Sequence, residues 1–385
     1  MRITIVNTLY APYQIGGAER SVEEIAKFLS AGNSVTVLTL RDKSDHTVQD
    51  REFLAKVQVV RFSLKFRYWP FPKKERQFFS RVIWHVIDLI NLQLFLRIFV
   101  QLVRNRPDVI MTHNLTGFSM SPWFVAKLLG IPVLHLLHDY NLLCPNTTMR
   151  RESKNCTSIC FQCKLRKSLS NSSPKPQAFV GVSEFILNRH QKYMRFPKNT
   201  TFGVAHGSAS FIPKSRDHVT YNFGFLGGLN EVKGIDVFIS AAKNLPDKSF
   251  VIAGKPNKEF LQKIDGSPNI VFLGWCNSVD FYSLVEVLIV PSVWNDPAPR
   301  VILEAKHAGV PVVISNLPTL VEIAKYNDCS YSVFEPGDPI SLVKALKSLP
   351  AEFSEVKNKE YLPSQGEQLE KILSQILQDR DRAQL

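Results

Sequence analysis

Two acids stand eight positions apart in Trp294-Asn295-Asp296-Pro297-Ala298-Pro299-Arg300-Val301-Ile302-Leu303-Glu304-Ala305. Asp296 falls in a proline-rich loop after the apolar run 285–290, which reads as a buried strand. Glu304 falls in a helical pattern that the next apolar run, 310–314, must follow. A strand, a loop and a helix start leave backbone N–H groups unpaired at the helix end, where the helix dipole also favours negative charge. Two carboxylates flanking such a turn can hold the hydroxyls of a sugar and of a ribose, with a diphosphate at the helix end between them. Two glycine-rich turns precede this stretch. One is Phe223-Gly224-Phe225-Leu226-Gly227-Gly228, followed by Lys233-Gly234-Ile235-Asp236. The other is Gly16-Gly17-Ala18-Glu19-Arg20, after the strand pattern 2–7 and Ala11-Pro12, and before a helix pattern at 21–29 and a strand at 34–39. A Gly-Gly pair alone marks only a turn; the order and spacing of all the pieces carry the argument.

Together these pieces resemble the retaining GT-B glycosyltransferases, in particular glycosyltransferase family four (glycosyl transferases group 1), over most of the chain. The resemblance implies an α/β chain with the GT-B fold, two Rossmann-like domains facing each other across a cleft, the first binding an acceptor and the second a nucleotide sugar. It implies a hexosyltransferase-type enzyme that moves a sugar from a UDP- or GDP-sugar to a glycan or lipid-linked acceptor and retains the anomeric configuration. By resemblance, Glu304 takes the ribose hydroxyls, the Asp296 loop touches the transferred sugar, and Lys233 neutralises the departing diphosphate. Gly227 and Gly228 belong to the phosphate-side loop, Gly16 and Gly17 allow close approach of diphosphate or acceptor, and Glu322 matches an acid after the following loop. His113, after the strand 109–111, matches a histidine that contacts the donor sugar. Three departures stand out. Asp296 replaces the usual Glu and reaches a methylene less far. Pro297 and Pro299 remove two N–H donors from the loop. Gly228 stands where many relatives place a phosphate-binding Arg, a charge that Arg300 is positioned in sequence to replace. A non-catalytic GT-B scaffold or binding protein and a GT-B-fold sugar epimerase are the competing readings. A nicotinamide enzyme is disfavoured because the Gly16-Gly17 loop lacks G-x-G-x-x-G.

The elements that must position these residues alternate strand and helix throughout. Strands are predicted near 2–7, 34–40, 57–62, 108–112, 131–137 and 178–182, then near 222–226, 249–253, 269–273, 286–290, 311–314 and 330–333. At 385 residues the chain accommodates two domains, assigned to 1–210 and 221–365 with a linker at 211–220. A terminal helix patterned at 367–377 falls in a last segment, 366–385, that is able to pack back on the first domain, and 378–384 reads as a frayed polar tail. The Asp379-Arg380-Asp381 triplet lies in that tail, so no catalytic divalent metal is expected.

The net charge of +13 is concentrated. Residues 61–106 hold ten basic residues against Glu75 and Asp88, a net +8, and residues 150–167 hold six against Glu152, a net +5. A basic N-terminal half points to an anionic membrane surface or a phosphate-bearing acceptor; no recognition motif supports nucleic acid. Residues 77–104 form an amphipathic helix pattern, apolar nearly all round, which either packs on the sheet or docks on lipid beside Arg67-Tyr68-Trp69-Pro70-Phe71-Pro72-Lys73-Lys74. With no signal peptide visible, a cytoplasmic location is expected, at the inner face of the membrane where it docks.

Four of the six cysteines, Cys144, Cys156, Cys160 and Cys163, cluster in the insert 144–167. In a cytosolic chain such a set reads first as a structural zinc site, with an iron–sulfur cluster, two disulfides or unpaired thiols as alternatives. Some relatives of the family carry a similar His-Asp-aromatic and Cys-Pro, here His138-Asp139-Tyr140 and Cys144-Pro145.

Overall fold

The computed structural model describes residues 1–13, 16–63, 91–209, 211–216, 219–256, 258–350, 353 and 363–383. The sequence features at Lys65, Arg67, Lys73, Lys74, Arg76, Arg81, His85 and Asp88 lie outside the described residues. In chain order the strands are β1 Arg2–Val6, β2 Ser34–Arg41, β3 Arg51–Leu54, β4 Val57–Ser63, β5 Val109–Thr112, β6 Val133–Leu137, β7 Arg150–Arg151, β8 Lys154–Asn155, β9 Ala178–Gly181, β10 Thr201–Val204, β11 Tyr221–Leu226, β12 Phe250–Ala253, β13 Ile270–Phe272, β14 Val285–Val290, β15 Val312–Ser315 and β16 Tyr331–Phe334. The described helices are α1 Gly17–Leu29, α2 Leu92–Asn105, α3 Ser121–Leu129, α4 Phe161–Ser172, α5 Glu184–Tyr193, α6 Ile235–Lys243, α7 Lys258–Ile264, α8 Ser278–Leu284, α9 Arg300–Ala308, α10 Pro318–Tyr326, α11 Pro339–Lys347 and α12 Gln365–Ala383.

The chain divides into two compact units, one of Met1–Met149, Thr157–Ala205 and Ser364–Leu385, the other of Arg150–Cys156 and His206–Pro363. The first is built on an eight-stranded sheet in the order β10-β9-β6-β5-β1-β2-β4-β3. All its pairs are parallel except β3 with β4. Helix α12 belongs to this unit and packs against α1, burying Leu369, Leu373 and Ile376. It runs on to Ala383, so the tail expected to fray is helical over nearly its whole length. The second unit is built on a six-stranded, wholly parallel sheet, β13-β12-β11-β14-β15-β16. Its strands read Phe-Val-Ile-Ala or Val-Val-Ile-Ser because both faces are covered. One face carries a core with Phe238, Phe250 and Leu342, the other a core with Phe281, Ile302 and Leu320. Two mostly parallel sheets, each flanked by helices, are the two Rossmann-like domains of the GT-B fold, as the sequence pattern predicts.

The strand order positions the chemistry. In the second sheet the chain steps outward from β11 through β12 to β13, then returns and steps the other way from β14 to β16. The loops after β11 and β14 therefore diverge and leave a crevice at the carboxyl ends of two adjacent strands. The first sheet reverses in the same way between β1 and β5. Strands β3 and β10 were not predicted. Both are edge strands of four residues, too short for alternation to register, and β10 contains Gly203.

Gly234 joins the turn after β11 to α6 at φ +74°, and a Cβ there would fall 1.7 Å from the Pro291 carbonyl oxygen. The two loops of the crevice approach this closely only because the side chain is absent. Gly234→Ala should destabilise the second unit by about 2–4 kcal/mol, through positive-φ strain and the forced separation of the loops. A urea midpoint unchanged from wild type would refute this.

Candidate active site

In the second unit the chain leaves β11 at Leu226, passes Gly227 and Gly228, and makes one 3-10 turn over Glu231–Lys233. The Asn230 side chain caps that turn by accepting from the Lys233 N–H at 3.2 Å. Beside it, the loop after β14 runs from Pro291 into α9, which begins at Arg300. Three contacts join the two loops. The Val293 N–H donates to the Val232 carbonyl at 3.1 Å. The Lys233 ammonium pairs with the Asp296 carboxylate. Lys233 Nζ also lies 5.9 Å from the centre of the Trp294 ring, a cation–π contact. Asp296 is buried, while a third of the Lys233 side chain remains exposed. The acid is thus fixed and its cation is still open to an incoming anion.

Glu304 lies one turn into α9 and is buried. Arg300 Nε is 3.6 Å from its Oε1, and the Tyr282 hydroxyl is 3.4 Å from its Oε2 and 3.2 Å from the Val301 carbonyl. Arg300, expected from sequence to replace the missing phosphate-side arginine, packs along α9 against Glu304 and offsets the burial of that carboxylate. At Gly228 a Cβ would come 3.0 Å from Asn230 Nδ2, so a larger residue there needs Asn230 to move. Glu322 is on α10, after β15. The N-cap of that helix is Leu317. The Glu322 carboxylate lies 3.0 Å from His206 Nε2, and the His206 ring stacks on Tyr326 with centroids 3.7 Å apart. Lys233, Asp296, Glu304 and Glu322 thus follow β11, β14 and β15, which are neighbours in the sheet. Tyr282 and His206 position two of these acids, and no motif in the sequence marks either.

In the first unit His113 follows β5, and its N–H donates to the Val6 carbonyl of β1 at 2.9 Å. It therefore sits at the reversal of that sheet. Its Nδ1 is 2.9 Å from His138 Nε2, and its Nε2 is buried without a hydrogen-bond partner among the described residues. Burial, and then the neighbouring His138 and His135, hold the His113 pKa well below the usual range, so the ring is neutral at pH 7. Gly16 caps α1, and its N–H donates to Glu19 Oε2 at 2.8 Å. Gly16, expected from sequence to allow close approach of a diphosphate or an acceptor, thus has its amide taken by an acid of its own helix.

Three of the four clustered cysteines come together. Among the described residues no cysteine is in a disulfide, and no group of three or more His, Cys, Asp or Glu is placed to hold a metal. Cys156 groups with the second unit, and Cys144, Cys160 and Cys163 with the first. Those three are hydrogen-bonded in a chain, with burial pushing the Cys163 thiol up to about 12. Cys160 caps α4, and the Cys163 N–H holds its thiol below the usual value. The concentrated positive charge is also partly internal, because Arg61 is buried on Glu52 at 2.5 Å and Arg150 is paired with Glu231 at 2.9 Å. No helix among the described residues is long and apolar enough to cross a membrane.

The comparisons with known proteins agree with this architecture. The Glycosyltransferase Family 4 model matches residues 15–202, and the model for glycosyl transferases group 1 matches residues 220–352. The chain is 30% identical over 333 residues to an uncharacterized 42.6 kDa protein in the cps region of Klebsiella pneumoniae, covering 84% of this chain and 88% of that one. It is 23% identical over 295 residues to the Escherichia coli UDP-Gal:alpha-D-GlcNAc-diphosphoundecaprenol alpha-1,3-galactosyltransferase, covering 70% and 74%. Among solved structures, sucrose-phosphate synthase from Thermosynechococcus elongatus superposes with TM-score 0.68 at 14% identity, over 98% of this chain and 94% of that one. HepE of Anabaena, in complex with UDP and glucose, superposes with TM-score 0.66 at 16% identity, over 100% and 99%. This chain belongs to the GT-B-fold glycosyltransferases, in the group formed by glycosyltransferase family 4 and glycosyl transferases group 1.

The buried histidines of the first unit make its stability depend on pH. Burial depresses His138 and His190 from the ordinary 6.5 to about 4, and holds His113 and His135 well below it. Below pH 6.5 the unfolded chain takes up protons that the folded rings refuse, so stability present above that pH is lost as pH falls towards 4. His190 alone should account for about 2 kcal/mol of this loss at pH 5. Denaturant midpoints should fall between pH 7 and pH 5, and less so in His190→Gln. A flat profile would contradict the neutral, buried assignment.

Proposed function

We propose that this glycosyltransferase uses a nucleotide-sugar donor, a UDP- or GDP-sugar, and retains the anomeric configuration of the sugar it transfers. The observation that carries the reading is the crevice after β11 and β14, where Lys233, Asp296 and the start of α9 are held together and Glu304 lies one turn further on. In this reading the diphosphate lies against the Lys233 ammonium and the first amides of α9, where dipole and charge act together. Glu304, oriented by Tyr282 and Arg300, accepts from the ribose hydroxyls. Asp296 and Glu322 accept from the transferred sugar, and the two prolines keep the loop rigid. A neutral His113 serves as a hydrogen-bond partner for a sugar hydroxyl, and the Gly16–Gly17 turn belongs to the acceptor side. The bond from the anomeric carbon to the phosphate oxygen breaks as negative charge grows on the diphosphate, and Lys233 stabilises that charge. The acceptor oxygen attacks from the same face, and its proton passes to the departing phosphate oxygen.

The Escherichia coli relative is named for a diphosphoundecaprenol-linked acceptor, which supports a lipid-linked acceptor here. The surface of the first unit supports it too. Helix α2 buries Leu94, Ile98 and Leu102 and exposes Leu92, Leu96, Val100 and Val103 on its other side. It packs against α3, which exposes Phe124 and Leu128. Arg104, Arg106 and Lys127 are exposed beside these apolar side chains. Apolar residues rimmed by cations suit an anionic bilayer surface.

Lys233→Ala and Glu304→Ala should each lower transfer by about 10²–10³ with the fold intact, measured as sugar release from a panel of nucleotide sugars. Near-normal turnover in either variant would remove the donor assignment. Leu96→Glu with Val100→Glu should reduce co-sedimentation with anionic vesicles, and wild-type binding should weaken as salt rises. Equal partitioning of wild type to anionic and neutral vesicles would argue for a soluble acceptor.

A further inference from the structure

The hairpin β7–β8 stands apart from both sheets. Its segment Arg150–Cys156 groups with the second unit, although Met149 and Thr157 on either side group with the first. No residue of the segment is fully buried, so packing does not hold it in place. Polar bonds do. Asn155 Nδ2 donates to the Val293 carbonyl at 3.0 Å, and its Oδ1 accepts from the Asn295 N–H at 3.3 Å. One amide side chain therefore spans the backbone immediately before Asp296. Across the hairpin, in register with Asn155, Arg150 Nη2 donates to Glu231 Oε1 and to the Ser153 carbonyl, both at 2.9 Å. Glu231 begins the 3-10 turn that ends at Lys233. The hairpin thus grips both loops whose tips meet in the Lys233–Asp296 pair.

Two features make this grip more than an incidental contact. Pro297 and Pro299 deny the acid loop two of the N–H groups it could use to fix itself. Beside the hairpin lies an open pocket of about 440 Å³, lined in part by Arg150, Asn155, Gly234, Val293 and Gly337. The loop is therefore held on this side by a few polar bonds rather than by close packing. The hairpin itself turns through Glu152 and Ser153 at φ +49° and +59°, both left-handed, as a two-residue hairpin loop requires and as residues with a Cβ disfavour. Such geometry persists where the surroundings hold it.

We propose that the hairpin is a clasp that fixes the acid loop, with Asn155 and Arg150 as positioning residues for Asp296 and Lys233. The inference rests on the donor reading above only for what those two groups bind. Without the clasp the loop samples other geometries, and the donor affinity falls by the fraction of time it is competent. Once the donor saturates, the loop is restored and chemistry proceeds. Loss of the clasp should therefore raise donor KM and leave kcat nearly unchanged, whereas loss of folded enzyme would lower the apparent kcat at constant KM.

Asn155→Ala in the full chain tests this. Amide hydrogen exchange at 293–296 should quicken by about tenfold or more with β12 unaffected, and donor KM should rise by about tenfold with kcat within about twofold. Unchanged exchange at 293–296, or a fall in kcat at constant KM, would overturn the clasp. If wild type binds no nucleotide sugar, the donor reading fails and the exchange arm still decides the clasp. If Asn155→Ala does not fold, the charge swap decides. Arg150→Glu should loosen the turn at 231–234, and adding Glu231→Arg should restore its protection. Failure of the swap to restore it would reject the proposal.

Discussion

Parallel strands that are buried on both faces have no room for charge except at their ends. In the second unit β11 and β14 lie side by side at the centre of the sheet, yet the chain departs from them in opposite directions. That reversal opens a crevice, and the charged residues gather there. The acids are buried and need compensation, since an unpaired buried carboxylate is costly. Lys233 provides it for Asp296, and Arg300 for Glu304. The first of these pairs also ties the loop after β11 to the loop after β14. Gly234, the Val232–Val293 hydrogen bond and the Asn230 cap all serve the close approach that the pair demands.

The first unit answers the same reversal with different chemistry. His113 occupies the corresponding place after β5, and its neighbours are other histidines rather than acids. A stack of neutral rings costs little to bury and leaves an N–H or a lone pair available for a hydroxyl.

Much of this was legible in the sequence because the relevant signals are local. Apolar runs ended by glycine or proline mark the parallel strands, and the eight-residue separation of Asp296 and Glu304 carries a loop and one helical turn. What escaped depends on contacts distant in sequence. Tyr282 reaches Glu304 across 22 positions, His206 reaches Glu322 across 116, and Asn155 reaches Val293 across 138. None has a spacing that periodicity can detect. Closeness in sequence does bring Cys144, Cys160 and Cys163 together, while the hairpin between Cys144 and Cys160 groups Cys156 with the second unit. The edge strands β3 and β10 were lost to brevity, and the polar end of α12 was read as frayed because its polarity hid a helical continuation.

The central claim is that a nucleotide sugar binds where the second sheet reverses. Hydrogen exchange of the full chain, with and without UDP-, GDP-, ADP- and dTDP-sugars at saturating concentration, addresses it directly. The account predicts that one nucleotide class protects the amides of 227–234, of 293–298 other than the prolines, and of the first turn of α9, while the edge strands of both sheets exchange as before. Protection confined to other parts of the chain, or none with any nucleotide sugar, would contradict it.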